Sequence, residues 1–209
     1  MSNRANKLIC GFCLVLLISA CTKVQIYNGN KNQYTLLKPE EIKNIKSFDE
    51  KLINERHRTD SLTLYEIDER DIDRVLVKSK YTWIHFWNAL CGSKTCINIG
   101  IYNEKANAHP EINFLMISES YLFKIMKKRV ETSGFDRTVF VLKDSYYGHK
   151  GSIRKVGLHL NPSAKKSEGY YADYLFKGTT LVYVGYDLEL KLDSIMRFYN
   201  NTSYKAITN

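Results

Sequence analysis

The sequence predicts an α/β protein, a three-layer sandwich in which helices cover both faces of a central mixed sheet. Two segments, 81–87 (YTWIHFW) and 112–117 (INFLMI), are apolar on both faces, which is typical of strands in the middle of a sheet. Segments with helical spacing of apolar residues separate these strands from each other and from a third, 138–142. The order β-α-β-α-β, followed by β-β-α, indicates helical layers on a mixed sheet.

The first elements are assigned from start signals and periodicity. The sequence Pro-Glu-Glu at 39–41 suits a first helical turn, and apolar residues at helical spacing predict a helix from 39 to about 58. Alternation over 62–67 predicts a strand, and 68–80 has the pattern of a short amphipathic helix. These elements lead into the central strand.

The second half of the chain is predicted in the same way, with Gly and Pro marking the ends of elements. The predicted elements are, in order, a helix from about 94 to 108 stopped by Pro110, a helix over 121–132 ended by Gly134, a loop-rich stretch over 146–174 with a short helix near 152–160, a strand over 180–184 paired with 188–192, and a closing helix from 194.

The first twenty residues have the pattern of an export signal. Arg4 and Lys7 precede a short apolar run, 8–18, which is too short to span a membrane. The sequence Ile-Ser-Ala-Cys at 18–21 resembles the lipobox of bacterial lipoproteins. The resemblance implies cleavage before Cys21 and lipid on its thiol, which would hold the mature chain on a membrane. The alternatives are an ordinary signal peptide with Cys21 as a bystander, and an uncleaved anchor.

This interpretation predicts four parts and a location. They are a signal peptide over 1–20, a polar tether over 21–38, an N-terminal helix over 39–60 and the main α/β domain over 61–209. Thr22, rather than Asp, follows the lipidated residue, which favours the outer membrane. We therefore expect a lipid-anchored protein of the cell envelope that faces the periplasm.

Composition limits the partners and the chemistry. The formal net charge is +9, but Lys and Arg are spread along the chain, and an exported protein has little access to nucleic acid, so we expect no nucleic-acid partner. The sequence predicts no cofactor, and the histidines show no metal-ligand spacing. Of five cysteines, Cys10, Cys13 and Cys21 belong to the signal and lipobox. Cys91 and Cys96 remain, in an oxidising compartment.

The segment 86–92 (FWNALCG) carries the expected chemistry. It resembles the thioredoxin superfamily, and within it the membrane-tethered thiol–disulfide oxidoreductases of the bacterial envelope. Their central strand ends Phe-Trp-Ala and is followed, two residues later, by Cys-Gly-Pro-Cys. The Phe, Trp, first Cys and Gly of that pattern fall in register here, and the resemblance extends over roughly 61–198. It implies a thioredoxin-like sandwich that exchanges disulfides with envelope proteins through Cys91.

The position of Cys91 favours reactivity independently of the resemblance. A cysteine between a strand and a helix N-terminus meets unpaired N–H groups and the positive end of the helix dipole, which stabilise a thiolate. Lys94 adds a positive charge nearby. Because the thiolate is the attacking species in disulfide exchange, Cys91 is the predicted nucleophile.

The second cysteine departs from the family pattern. Lys94 stands at the family's position, and Cys96 gives C-x4-C rather than C-x2-C. Within one regular helix the two Cα atoms would lie roughly 8–9 Å apart, whereas a disulfide requires less than about 7 Å. Pairing therefore requires 92–95 to form a loop, and Cys96 then resolves the mixed disulfide. The alternative is a lone Cys91 thiol and an inward-packed Cys96.

His85 occupies the strand position where this family often has a buried Asp or Asn beneath the cysteines. The resemblance implies a catalytic proton acceptor at this position, a role that an imidazole suits because it changes charge near neutral pH. The alternative is a core histidine that is hydrogen-bonded to a neighbour.

A third family feature is altered in this chain. Before the strand 180–184 the family has Gly-Thr-Pro or Gly-Val-Pro, with a cis-proline near the cysteines, whereas this chain has Gly-Thr-Thr at 178–180. A cis peptide before a non-proline residue costs about 2.5–4 kcal/mol, so we expect a trans peptide. The resemblance implies a substrate-binding groove at Trp87, Thr179 and Thr180, altered by this change.

Two functions fit these observations. The first is disulfide exchange by a membrane-anchored protein, with Cys91 attacking and Cys96 resolving. The second is a redox-inactive thioredoxin-fold lipoprotein that binds an envelope partner, and the 15 tyrosines would suit such a binding surface. A peroxidase requires Thr three residues before the reactive cysteine, where this chain has Asn88, so that class is disfavoured.

Overall fold

Seven strands form one sheet in the computed structural model of the protein. The structure describes residues 37–56, 62–91, 97–118, 120–143, 152–165 and 171–205. The chain divides into two units, Met1–Lys31 and Asn32–Asn209, and the described residues all belong to the second. The strands are β1 (Ile45–Ser47), β2 (Leu64–Ile67), β3 (Tyr81–Trp87), β4 (Ile112–Ser118), β5 (Val139–Leu142), β6 (Asp173–Lys177) and β7 (Thr180–Gly185). The helices are α1 (Pro39–Ile42), α2 (Glu69–Lys78), α3 (Ile99–Ala108), α4 (Phe123–Ser133), α5 (Ser152–Leu160) and α6 (Leu188–Lys205), with a 3-10 helix at Glu50–Leu52.

The sheet is mixed, in the order β1-β2-β5-β4-β3-β6-β7. The first five strands in this order are parallel to one another, whereas β6 is antiparallel to β3 and β7 is antiparallel to β6. The strand β3 therefore lies between β4 and β6, and all seven of its residues are buried, as the sequence predicts for a central strand.

Helices cover both faces of the sheet. One face packs against α3, α4 and α6 through a cluster that includes Trp83, Tyr102 and Leu192. The other face packs against α2 and α5 around Ile84 and Val156. Burying each large apolar side chain contributes about 1.5–3 kcal/mol, so two full clusters account for the layered arrangement. The predicted α/β sandwich with a central mixed sheet is confirmed.

Local sequence signals explain where several elements begin and end. The side chain of Asp68 accepts hydrogen bonds from the backbone N–H groups of Arg70 (3.0 Å) and Asp71 (3.2 Å), which caps α2. At the end of α4, Gly134 has φ of 69°, a left-handed conformation that glycine adopts without strain. These caps lie at the ends that the sequence predicts for α2 and α4.

Charged side chains join α3 to α6. Asp193 on α6 accepts hydrogen bonds from Lys105 (2.6 Å) and from His109 (2.8 Å), which lies at the end of α3. These two hydrogen bonds lower the pKa of Asp193 to about 2. The two helices that flank the central strand on one face are thus linked by an ion-pair network as well as by apolar packing.

The sequence predicts a helix over 39–58, which defines the N-terminal part 39–60, and this prediction is wrong. Within the described residues 39–56, Pro39–Ile42 is the only α-helix, and the chain then forms the edge strand β1, followed by the short 3-10 helix. Ile45 pairs in register with Leu64 of β2, so sheet pairing overrides the helical spacing of the apolar residues. The predicted N-terminal helix is therefore part of the sheet edge.

Two assignments near the C-terminus are also wrong. The stretch predicted to be loop up to 174 contains the start of β6, and β6 rather than 188–192 pairs with β7. The segment 188–192 begins α6, where Leu188, Leu192 and Met196 are buried at intervals of four residues. Over five residues, the alternation of Leu with charged residues fits a strand as well as the first turn of a helix, so the pattern alone could not exclude a strand.

No helix among the described residues is both long enough and apolar enough to cross a bilayer.

Candidate functional site

Cys91 lies at the carboxyl end of β3, on the surface. The chain leaves the strand in a turn in which the Cys91 N–H donates to the Asn88 carbonyl (3.1 Å) and the Leu90 N–H donates to Asn88 Oδ1 (2.9 Å). Arg129 Nη2 on α4 donates to the Cys91 carbonyl oxygen (2.6 Å). Cys91 is exposed. Its backbone is held by the turn after β3 on one side and by Arg129 of α4 on the other.

The sulfur of Cys91 is disulfide-bonded. The other four cysteines of the chain lie outside the described residues, so the predicted pairing with Cys96 stays a prediction. The helix α3 begins at Ile99, after the N-cap Asn98, rather than near 94 as the sequence predicts. Because eight positions separate Cys91 from that first turn, stabilisation of its thiolate by the helix N-terminus also stays a prediction.

His85 is buried beneath this end of the sheet and paired with an acid that the sequence analysis missed. Its Nδ1 lies 2.8 Å from Oδ1 of Asp173, the first residue of β6, which is opposite His85 in the antiparallel register. The indole N–H of Trp83 donates to the same oxygen (2.9 Å). Asp173 is fully buried, so these two donors compensate part of the cost of its burial.

The contacts of the carboxylate determine how the imidazole is oriented. An ionised carboxylate only accepts hydrogen bonds, so the proton between the two residues lies on Nδ1 of His85. The other ring nitrogen, Nε2, makes no hydrogen bond to any described residue and is the atom left to accept a proton. The His85 side chain is 7 % exposed, and the ring of Tyr102 covers it with a centroid distance of 4.0 Å.

A second carboxyl group lies near the pair. Glu189, in the first turn of α6, is 1 % exposed. Burial raises the pKa of Glu189; its own backbone N–H and His85 oppose the rise, while Asp173 and Asp187 add to it. Burial also raises the pKa of Tyr102, with Asp173 and Glu189 adding to the effect. His85, Asp173 and Glu189 thus form a buried group of titratable side chains within the apolar cluster on one face of β3.

Two predicted substrate-binding positions are not at this site. Thr179 lies in the turn between β6 and β7, and Thr180 is the first residue of β7; in this turn the N–H of Gly178 donates to the carbonyl of Lys80 (3.0 Å), just before β3 begins. Cys91 follows the other end of the same seven-residue strand, about 20 Å away at the usual rise per residue. The assignment of Thr179 and Thr180 to a groove beside Cys91 is therefore wrong. The described residues contain no cis peptide bond.

Trp87 is placed differently from the prediction as well. It is the last residue of β3 and is 5 % exposed, packed in the apolar cluster that includes Leu188 on α6. A ring in that position supports the strand end from inside and offers little surface to a substrate. The predicted substrate-binding role of Trp87 is therefore not supported by its burial.

Different residues lie beside the Cys91 end of the sheet. The Phe86 N–H donates to the carbonyl of Ala172 (2.7 Å), so the segment just before β6 runs alongside the end of β3. The ring of Tyr171 packs against that of Tyr186, which is 59 % exposed and follows β7 (centroid distance 5.4 Å). The surface at this end is therefore formed by aromatic side chains rather than by the Thr179–Thr180 turn.

The residues that the sequence analysis missed carried weak signals. Asp173 precedes a short apolar run after a long polar stretch, and a strand assignment there would have placed it opposite His85. Glu189 lies in a Leu-Glu-Leu alternation that predicts a strand rather than a helix. Arg129 has the sequence context of an exposed helical charge, and nothing in it indicates a contact with Cys91.

Comparison of the sequence with models of known protein families and with curated proteins gives no match. The class that the structure defines is an α/β three-layer sandwich with one mixed seven-stranded sheet. Its candidate site combines a surface disulfide cysteine at the end of the central strand with a buried His–Asp pair below it.

Proposed function

We propose that this protein is a membrane-anchored thiol–disulfide exchange protein of the bacterial cell envelope, a divergent relative of the thioredoxin-like oxidoreductases. The observation that carries the proposal is the state and position of Cys91, which is disulfide-bonded and exposed directly after the buried central strand. The order of elements along the chain also supports the proposal: strand, cysteine, helix and parallel strand, and later an antiparallel pair with a closing helix.

The reaction proceeds through a mixed disulfide. The Cys91 thiolate attacks one sulfur of a partner disulfide, forms a Cys91–partner bond and releases the other partner sulfur as a thiolate, which takes up a proton. The Cys96 thiolate then attacks Cys91 and releases the second partner thiol. Two protons and two electrons pass from the cysteine pair to the partner, which is reduced while Cys91 and Cys96 become a disulfide. The reverse sequence oxidises a partner dithiol.

His85 is the proposed proton acceptor for this reaction. Asp173 holds the ring through Nδ1, which leaves Nε2 as the basic atom. The same carboxylate stabilises the imidazolium that forms when Nε2 takes a proton, because opposite charges in a buried site attract strongly. Arg129 assists differently, since its guanidinium is bonded to the Cys91 carbonyl and places a positive charge near the thiolate.

The proposed anchor is the lipid on Cys21. Two or more acyl chains hold a protein stably on a bilayer, so the intact chain should fractionate with membranes. The Cys21→Ala variant should lose incorporation of labelled palmitate and leave the membrane fraction, while the Cys10→Ala variant behaves like the natural chain. Palmitate incorporation that persists in the Cys21→Ala chain would contradict this assignment.

Trapping experiments on the full chain, extracted from membranes in detergent, test the exchange reaction. The Cys96→Ser variant should accumulate a covalent adduct with a disulfide-bonded probe protein such as insulin, because nothing resolves the mixed disulfide. The Cys91→Ser variant should form no adduct, and the natural chain should turn over insulin disulfides with dithiothreitol as reductant. Equal, negligible turnover by all three proteins would refute the exchange function.

A non-catalytic binding role is the second candidate, and one observation favours it. The exposed Tyr186 and its neighbour Tyr171 present aromatic area at the Cys91 end of the sheet, and tyrosine gives contact area at low entropic cost. A partner cross-linked equally by the natural chain and by the Cys91→Ser, Cys96→Ser double variant would favour this role. Loss of capture in the double variant would favour exchange.

A further inference from the structure

The carboxyl group of Glu189 is the most unusual buried group in the described part of the chain. Both of its oxygens are buried, and neither makes a hydrogen bond of normal geometry to a described residue; the backbone N–H of Glu189 itself is close but does not meet that geometry. Oδ2 of Asp173 is in the same condition, because both donors to that residue bind Oδ1. Three buried carboxyl oxygens without donors are costly, and such a cluster requires a compensating species.

The described residues around Glu189 supply no positive charge beyond that of His85. The titratable groups that act on it are Asp173 on β6, Asp187 just before α6 and His85 on β3, and it acts in turn on Tyr102 of α3. Among these only His85 can be positive, and its Nδ1 is already bonded to Asp173. The described residues also contain no group of three or more His, Cys, Asp or Glu arranged to hold a metal ion.

The N-terminus of α6 gives only part of the compensation. Glu189 lies in the first turn, where the helix dipole favours a negative charge. That effect is small compared with the cost of burying a carboxylate whose oxygens accept no hydrogen bond. Tyr102 gives no compensation either, since its hydroxyl makes no hydrogen bond to a Glu189 oxygen and its ring packs over His85. A proton removes the charge without any further group, and burial of the carboxyl group favours it.

We propose that Glu189 carries a proton at neutral pH and that its ionisation slows proton exchange at His85. With Glu189 neutral, Asp173 is the one carboxylate bonded to His85, and Nε2 takes up and releases a proton during exchange. Loss of the Glu189 proton adds a second buried negative charge close to the pair, which attracts the proton that His85 must release. Glu189 is therefore a positioning residue, and its effect on exchange rests on the proposed function.

Infrared spectroscopy of the full chain in detergent tests the protonation directly. The natural chain at pH 7 should show the carbonyl band of a protonated carboxylic acid, and the Glu189→Gln variant should lack it. The Glu104→Gln variant is the matched control, because Glu104 is an exposed glutamate on α3 and its loss should leave the band unchanged. Absence of the band in the natural chain overturns the proposal, whether or not the Glu189→Gln chain folds.

The pH dependence of exchange tests the coupling. Glutamine mimics the protonated acid, so the natural chain and the Glu189→Gln variant should exchange disulfides at equal rates at acidic pH. The rates should diverge above the ionisation of Glu189, by up to about tenfold if the coupling is one pKa unit. A rate ratio that is constant across the pH range overturns the coupling, and a merely structural role would give such a constant ratio.

The two experiments separate the failure of this inference from the failure of the proposed function. If the carboxylic acid band is present but no protein exchanges disulfides, the exchange function is refuted while the proton on Glu189 is upheld. If exchange occurs without the band, the proton on Glu189 is refuted and the exchange function is upheld. Should the Glu189→Gln chain be unstable, Glu189→Met retains much of the side-chain volume and removes the acid for the same comparison.

Discussion

Replacing Asp173 by Ala should destabilise the fold through two specific hydrogen bonds. Asp173 is fully buried, and its Oδ1 accepts from His85 Nδ1 (2.8 Å) and Trp83 Nε1 (2.9 Å). The substitution leaves both donors buried without an acceptor, and each such loss costs about 1–3 kcal/mol. Relief of the unbonded Oδ2 offsets part of this cost. We therefore expect a loss of about 2–4 kcal/mol in the free energy of unfolding at pH 7.

Urea unfolding followed by far-ultraviolet circular dichroism measures this loss. Asp173→Asn is the matched control, because its amide oxygen still accepts from both donors, and it should cost roughly 1 kcal/mol. A double-mutant cycle with Trp83→Phe isolates one bond and should give a coupling energy of about 1–2 kcal/mol. A cost below about 1 kcal/mol for Asp173→Ala, or additive effects in the cycle, would refute the buried pairing.

Three further predictions concern other contacts. The lowered pKa of Asp193 contributes stability that is present above pH 4 and lost as the pH falls towards 2. Asp193→Asn should reduce the loss of unfolding free energy over that pH range, as measured by acid unfolding. The reduction should be less than about 1 kcal/mol because the side chain is 47 % exposed. Gly100→Ala should lower stability by about 1–3 kcal/mol in urea unfolding, because its Cβ would overlap the backbone oxygen of Ser133. Arg129→Met should slow alkylation of reduced Cys91 at neutral pH because it removes the positive charge bonded to the Cys91 carbonyl, whereas Arg129→Lys, which keeps a positive charge, should slow it less.

The elements that the sequence predicts well are those in which local and tertiary preferences agree. In β3 and β4 continuous apolar runs coincide with the centre of the sheet. In α2 the cap at Asp68 and the buried positions Ile72, Val75 and Leu76 follow one helical pattern. In these segments no alternative element satisfies both the periodicity and the end signals, and the fold class follows from their order along the chain.

The segments that were predicted wrongly are those in which a partner distant in sequence decides the structure. Ile45–Ser47 is a strand because β2 lies beside it, although its apolar spacing also suits a helix. Asp173–Lys177 is a strand because it pairs with both β3 and β7, which a polar flanking sequence does not reveal. Hydrophobic periodicity and strand propensity describe one segment at a time, so they do not predict which distant segments pair in the sheet.

The candidate site was predictable in its surface residue and not in its buried ones. Cys91 follows from a local motif, and His85 follows from its distance to Cys91 along one strand. Asp173 and Glu189 reach the same place from β6 and α6, about ninety residues later in the chain. Their proximity to His85 depends on the antiparallel register of β6 and on the packing of α6. Thr179 and Thr180 show the opposite error. A local motif predicted that they lie near Cys91, but the sheet places them at the other end of β3.

Mass spectrometry of the native disulfide tests the central claim most directly. Lys94 lies between the two cysteines, so trypsin separates peptide 81–94, which contains Cys91, from peptide 95–105, which contains Cys96. Full chain isolated from membranes, with free thiols blocked before digestion, should yield these two peptides joined by one disulfide that dithiothreitol releases. Recovery of Cys96 as a blocked free thiol, with Cys91 joined to a different peptide, would contradict the account of a reactive Cys91–Cys96 pair.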